Sequence, residues 1–136
     1  MDKVELLMQK RAQCNFKEKF KEAQSIVATN PNIMARATSH YTLYLFYFYG
    51  WGLQSKDESL AWNHLQASTD FGYPVAAMEW ARHLLDRKNA RKAKQVIQRC
   101  EKAFLKTDPC EQEKLREDHV DMMRLLKVIE SCSEDG

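Results

Sequence analysis

A run of aromatic residues in the middle of the chain limits the fold more than any other feature. It extends from His40 to Leu53, and seven of its fourteen residues are Phe, Tyr or Trp. A helix that is apolar on all sides cannot be buried by a single neighbour, because several rings would remain in water. The run therefore predicts a central helix with other helices packed on more than one flank.

The composition agrees with a single helical domain. Of the 136 residues 44% are hydrophobic, and only 4 are Gly and 3 are Pro, which indicates few tight turns. A domain of this length can bury about two thirds of the surface that its unfolded chain exposes. The formal net charge is +2, and this balance argues against a dedicated nucleic-acid binder.

No targeting or membrane segment is predicted. The N-terminus alternates charged and apolar residues and lacks the apolar core of a secretory signal. The longest nearly uncharged run, residues 37–55, contains polar residues and two glycines, so it predicts a buried helix and a turn instead of a membrane span. We therefore expect a cytoplasmic protein that does not bind membranes.

Helical periodicity and capping residues divide the chain into four parts. Asp57, Asn89 and Asp108 are predicted helix N-caps, and Pro109 then occupies a first helical position. The predicted parts are an N-terminal helical hairpin, two further hairpins and a C-terminal capping helix, at residues 1–30, 33–72, 74–106 and 108–131.

The second and third hairpins resemble each other in sequence. Residues of similar size or role recur at an offset of 37 in their first helices and of 32 in their second helices. The pairs are Leu43 with Trp80, Tyr47 with Leu84, Asp57 with Asn89, Ala61 with Ala93, and Ser68 with Cys100. One shorter loop accounts for the difference between the two offsets. We therefore expect two stacked copies of one helical hairpin.

A pattern of small and aromatic residues in the first copy is typical of a known repeat. It consists of Leu43-Tyr44, Tyr47, Gly50-x-Gly52-Leu53, Asp57, Ala61, Ser68, Gly72 and Ala76. With this spacing the segment resembles the Sel-type subfamily of the tetratricopeptide-like repeats. Tyr44 stands where that family has glycine, Ser68-Thr69 replaces a pair of alanines, and the second copy lacks the Gly-x-Gly turn. The resemblance implies a short α-solenoid that binds other proteins, with no catalytic motif.

No residue pattern predicts chemistry. The histidines lie on four different predicted helices without metal-binding spacing, at positions His40, His64, His83 and His119. The four cysteines form no Cys-x-x-Cys pair and are expected to be free thiols. We therefore predict no catalytic residue, cofactor or metal.

Charge is unevenly distributed along the second half of the chain. Residues 82–106 contain nine basic and two acidic residues, and residues 108–136 contain nine acidic and four basic residues. The two segments could neutralise each other in the fold, or the basic one could face an acidic partner. In the second case six basic residues would face outward and steer that partner: Arg82, Arg87, Lys88, Arg91, Lys92 and Lys94. Of these, Arg82, Arg87, Lys88 and Arg91 would form the basic rim of the binding site.

The leading functional hypothesis is a protein–protein interaction module. Tyr49 and Trp51 are the predicted apolar anchors, although the Trp51 ring could be tucked under the next helix instead of offered to a partner. We expect a small stand-alone inhibitor, such as an immunity protein that blocks a toxin. A chaperone or adaptor, a helical enzyme and a nucleic-acid binder that uses residues 82–106 are the alternatives, and no oligomeric state is predicted.

Overall fold

The computed structural model describes residues 3–51 and 56–133, and for residues 5–15 and 132–133 only the helical backbone. The described residues form seven α-helices and no strand, which confirms the predicted all-α class. The helices are α1 (Lys3–Thr29), α2 (Ile33–Tyr49), α3 (Glu58–Asp70), α4 (Pro74–Asp86), α5 (Ala90–Phe104), α6 (Pro109–Lys114) and α7 (Arg116–Ser133).

The predicted N-terminal hairpin at residues 1–30 is wrong, because one continuous helix occupies this part of the chain. Helix α1 has 27 residues. No Gly or Pro interrupts its sequence, so nothing forces a break between the two apolar stripes. Phe16 and Phe20 lie on the side that contacts α2, since both rings pack against Phe46.

Polar side chains cap the starts of four helices, as their residue types favour. In each case the side-chain oxygen accepts a hydrogen bond from a backbone N–H two or three residues ahead; the caps are Asn32, Asp57, Asn89 and Asp108. Pro74 and Pro109 occupy the first turns of α4 and α6. The predicted caps at Asp57, Asn89 and Asp108 are therefore confirmed.

Helices α2 and α3 form an antiparallel hairpin. Gly50 ends α2 in the left-handed conformation, with φ of 74°, and reverses the chain. Near this turn the Asp57 N–H donates to the Tyr47 carbonyl oxygen at 3.0 Å. At the opposite end the Ser68 hydroxyl donates to the Ala37 carbonyl oxygen at 2.6 Å. These two bonds fix the helices along their whole shared length.

Helices α4 and α5 form the next hairpin, through a much shorter loop. The Asn89 N–H donates to the Leu84 carbonyl oxygen at 2.8 Å, and Lys88 between them has φ of 60°. Ala61 of α3 and Ala93 of α5 are both completely buried, as are Ser68 and Cys100. Leu43 and Leu84 are also buried, but their sequence counterparts Trp80 and Tyr47 are only partly buried. The arrangement of the hairpins as tandem repeats therefore stays a prediction.

Gly72 allows α3 and α5 to approach closely. Its φ is 99°, and a Cβ built on it would lie 2.7 Å from the backbone N of Phe104 and 2.9 Å from the carbonyl C of Ala103. Real Cβ atoms do not tolerate such contacts, and the obstacle is backbone that no rotamer change can move. Glycine is therefore required here for both conformation and space.

The described side chains form three apolar cores. The first joins α4, α5 and α7, the second joins α2, α3 and α4, and the third joins α2 and α5. Their buried members are Ala77, Ala81, Leu84, Ala93, Val96, Ile97, Cys100, Met122, Leu126 and Ile129 in the first, Tyr44, Ala61, Leu65 and Ala76 in the second, and Met34, Ala37 and Phe104 in the third. Trp80 packs against the first two cores and Tyr73 against the last two.

The predicted single C-terminal helix at residues 108–131 is wrong, because the chain bends at Leu115. Helix α6 ends there, and Leu115 has φ of −106° and ψ of 15°. Leu115 packs against the third core, while Met122 and Leu126 of α7 belong to the first. Residues 109–133 thus contact two cores, the third through Leu115 and the first through α7.

Candidate functional site

The two predicted anchors, Tyr49 and Trp51, lie side by side at the C-terminal end of α2. Their exposed fractions are 47% and 41%, and their rings are stacked with centroids 5.4 Å apart. Trp51 also stacks on Phe16 of α1, with centroids 6.0 Å apart. Trp51 also meets Phe46 of α2 edge to face, with centroids 6.2 Å apart. The ring thus packs against α1 and α2 while 41% of the residue remains exposed, and its contact with a partner stays a prediction.

A continuous row of side chains connects these anchors to the basic loop. Phe48 contacts Tyr49 edge to face at 5.0 Å, and it contacts Trp62 of α3 at 6.1 Å between centroids. The Arg87 guanidinium lies over the Trp62 ring, 5.7 Å from its centroid, as in a cation–π contact. We call the set Trp51, Tyr49, Phe48, Trp62 and Arg87 the aromatic–basic row.

The other predicted basic residues are exposed but do not join the row. Arg82 lies on α4, Lys88 in the loop before α5, and Arg91 in the first turn of α5. Within the described chain no ion pair involves Arg82, Arg87, Lys88 or Arg91. Their charges are therefore available to solvent or to a partner.

The ion pairs of the two charged segments are mostly local. Three acidic side chains of α6 and α7 pair with a basic residue three positions away, in Lys114–Glu111, Arg116–Glu113 and Arg124–Asp121. In the basic segment Arg99 pairs with Asp70 of α3 at 3.3 Å. These contacts account for part of the acidic charge without using the exposed basic residues near the α4–α5 loop.

A hydrogen-bonded group lies beneath the row and joins α2 to α4. His83 Nε2 lies 3.2 Å from the Tyr44 hydroxyl and 3.4 Å from Glu79 Oε1. The Tyr41 hydroxyl donates to Glu79 Oε2 at 3.5 Å. Burial and the nearby Glu79 carboxylate raise the pKa of Tyr41 to about 12 and raise that of Tyr44 as well. Both phenols therefore stay protonated at neutral pH and act as fixed supports.

A pair of histidines joins α2 to α3. His40 Nδ1 and His64 Nδ1 are 2.9 Å apart, and the rings stack on Phe71 and Tyr47, respectively. Burial, the neighbouring His64 and Arg36 lower the pKa of His40 to about 4, and burial lowers the pKa of His64. Both rings are thus neutral at pH 7, with one nitrogen donating to the other.

These histidines do not form a metal centre with other side chains. Within the described residues no group of three or more His, Cys, Asp or Glu could hold a metal ion. Cys100 is completely buried, and burial raises its pKa to about 12. Its thiol is therefore a poor nucleophile and a poor metal ligand at neutral pH.

A cavity of about 180 Å³ opens between α3, α4 and α5 beside the row. Its walls include two indoles, two polar side chains and two cations: Trp62, Trp80, Gln66, His83, Arg87 and Lys92. Trp62 and Trp80 are not among the site residues predicted from the sequence. Trp62 follows buried Ala61 and lies off the buried stripe of α3, and a large ring in that position was the available signal.

Comparison with protein families, curated proteins and solved structures gives no match for this chain. None of the helices in the described part is long and apolar enough to span a lipid bilayer.

Proposed function

We propose that this chain is a protein–protein interaction module that binds its partner through the aromatic–basic row. One observation carries the proposal: two exposed rings at the end of α2 continue through ring contacts to an unpaired guanidinium on the next hairpin. Aromatic residues and arginine dominate the energy of protein interfaces. A flat apolar patch next to exposed cations suits a partner with an acidic surface.

The support for the row is rigid, which favours binding without a large ordering cost. Tyr49 and Trp51 are fixed by stacking on each other and on Phe16, and Trp62 is fixed by His83, whose ring is edge to face at 4.7 Å. A preformed surface of this kind suits an inhibitor that blocks another protein in the cytoplasm. An immunity protein that neutralises a toxin is one such inhibitor.

Site-specific crosslinking identifies the partner and tests the surface. A photoreactive phenylalanine analogue at position 51, which keeps an aromatic ring at this anchor, should capture a protein in native cells. The same residue at the exposed Val128 of α7 should not capture it. The captured protein is then purified and its dissociation constant is measured with defined variants.

The expected result is a large loss of affinity at the row alone. Truncation of Trp51 or Tyr49 to alanine should weaken binding by about 30-fold, since anchor truncations typically cost about 2 kcal/mol. Val128→Ala removes an exposed apolar side chain elsewhere and should leave affinity unchanged. Circular dichroism must show that the variants remain folded. Wild-type affinity in the folded Trp51→Ala and Tyr49→Ala variants would refute the proposed surface.

A further inference from the structure

The cavity beside the aromatic–basic row has an unusual balance of hydrogen-bond donors and acceptors. Arg87 and Lys92 contribute two cations to its walls, and the residues that line it include no carboxylate. Within the described chain neither cation forms an ion pair, and the indole N–H groups of Trp62 and Trp80 have no hydrogen-bond partner. The cavity walls thus carry positive charge that no lining carboxylate balances.

The surrounding helices add to this preference for negative charge. Lys92 lies in the first turn of α5, a helix of 15 residues whose N-terminus carries partial positive charge. The Glu79 carboxylate is not among the residues that line the cavity; it contacts His83 Nε2 and accepts a hydrogen bond from the Tyr41 hydroxyl.

The volume of the cavity limits which ligands it can hold. At about 180 Å³ the cavity is smaller than the roughly 300 to 1,000 Å³ of sites that hold cofactors and other small molecules. A single side chain fits this space. The indole faces can contact its methylene groups, while Arg87 and Lys92 reach its charged end.

We propose that this cavity receives the carboxylate side chain of an aspartate or glutamate from the partner protein. The indoles of Trp62 and Trp80 pack against the stem of that side chain, and Arg87 and Lys92 bind its oxygens. This inference rests on the proposed function, since it names the chemistry by which the same surface selects its partner. Arg87 belongs to both the aromatic–basic row and the cavity, because its guanidinium lies over the Trp62 ring and the residue also lines the cavity.

Nuclear magnetic resonance of the indole N–H groups tests the cavity without the natural partner. The chain has 3 Trp, so the folded protein gives three indole signals, which single Trp→Phe variants assign. The probe is a capped peptide with two glutamates in a glycine background, and the control peptide has glutamine at both positions. Inorganic phosphate at the same concentration tests whether a phosphate group is the preferred anion.

The expected result is a dose-dependent shift of the Trp62 and Trp80 signals with the glutamate peptide only. The Trp51 signal, at the far end of the row, should not move. Lys92→Gln should weaken the binding about threefold, as expected for one exposed charge contact. Lys102→Gln removes the same charge from the same helix outside the cavity and should have no effect. Added salt should reverse the shifts.

Other outcomes overturn the inference. Equal shifts with the glutamine peptide would show that charge is not recognised, and shifts with phosphate but not with the glutamate peptide would assign the cavity to a phosphate group. No shift with the glutamate peptide would also overturn it. The proposed function is tested separately, by the affinity of the Trp51→Ala variant for the natural partner. Trp51 lies outside the cavity, and that measurement does not depend on whether the glutamate peptide binds.

Discussion

His40 and His64 form a contact between α2 and α3 that does not fit two protonated rings. Their Nδ1 atoms are 2.9 Å apart, which suits one donor and one acceptor but not two protonated rings. Arg36 adds further positive charge on the His40 side, and its own guanidinium lies over Phe71, 5.3 Å from the ring centroid. Acid therefore acts on the α2–α3 interface through coupled protonation of this pair.

We predict that the free energy of unfolding decreases as pH falls from about 6.5 towards 4. The folded pKa of His40 is lowered from 6.5 to about 4, so in this window the unfolded chain binds more protons than the folded one. The neutral pair contributes its full stabilisation above pH 6.5. Below that pH this contribution to the free energy of unfolding falls by about 1–2 kcal/mol, after allowance for partial exposure. Urea unfolding across this pH range measures the slope.

The matched variant is His40→Gln, which keeps a neutral polar side chain without a titrating ring. Between pH 6.5 and 4 the free energy of unfolding of this variant should depend less on pH than that of the wild type, because the His40 ring is absent. The carboxylates contribute equally to both proteins and do not affect the comparison. Identical slopes would show that the pair does not control acid stability.

At the scale of the helices, local sequence signals predicted boundaries well where a specific residue imposes them. Asp57 and Asn89 supply caps, and Gly50 supplies the left-handed turn, so α2, α3 and α5 begin or end near the expected positions. The two errors, in α1 and at Leu115, share a cause. Apolar periodicity alone shows neither that a helix continues nor where it bends to reach a second core.

The site was predictable only in part, for the same physical reason. Tyr49 and Trp51 were identified because a helix end marked by glycine exposes neighbouring rings. Trp62 carried a sequence signal as a large ring off the buried stripe of α3, but its contact with Arg87 depends on how α3 packs against α4. Pairing of His40 with His64 is likewise a product of tertiary contact, since 24 positions separate them.

We predict that Ala61→Leu and Ala93→Leu destabilise the protein by similar amounts. Both alanines are completely buried in matching helices of the two hairpins, so three additional carbons at either position overpack a core. The expected cost is about 1–3 kcal/mol each, measured by urea unfolding. Ala28→Leu, at an exposed position of α1, should cost much less. A tolerated leucine at either buried position would contradict the equivalence of the hairpins.

At the scale of the whole molecule, shared side chains join the three cores. Trp80 contributes to the α4–α5–α7 core and to the α2–α3–α4 core, and Tyr73 contributes to the second and third cores. Loss of one core thus removes packing from the next. Cooperative unfolding follows from such continuity in small domains.

We predict one unfolding transition for the protein. Far-ultraviolet circular dichroism, which reports all helices, and tryptophan fluorescence, which reports the rings in α3, α4 and the turn after α2, should give the same denaturation midpoint. Trp80→Leu removes the ring shared by two cores and should lower that midpoint. A fluorescence change completed before helicity is lost would show that the hairpins unfold separately.

The contact of Gly72 with α5 has an evolutionary consequence. Core rings can be exchanged for other apolar residues with some loss of packing, but a side chain at position 72 meets the backbone of Ala103 and Phe104 at 3.0 Å or less. Substitution there cannot be rescued by a compensating change in a neighbouring side chain. Among distant descendants of this sequence, the glycine should outlast the aromatic run, and it offers the more durable marker for recognising them.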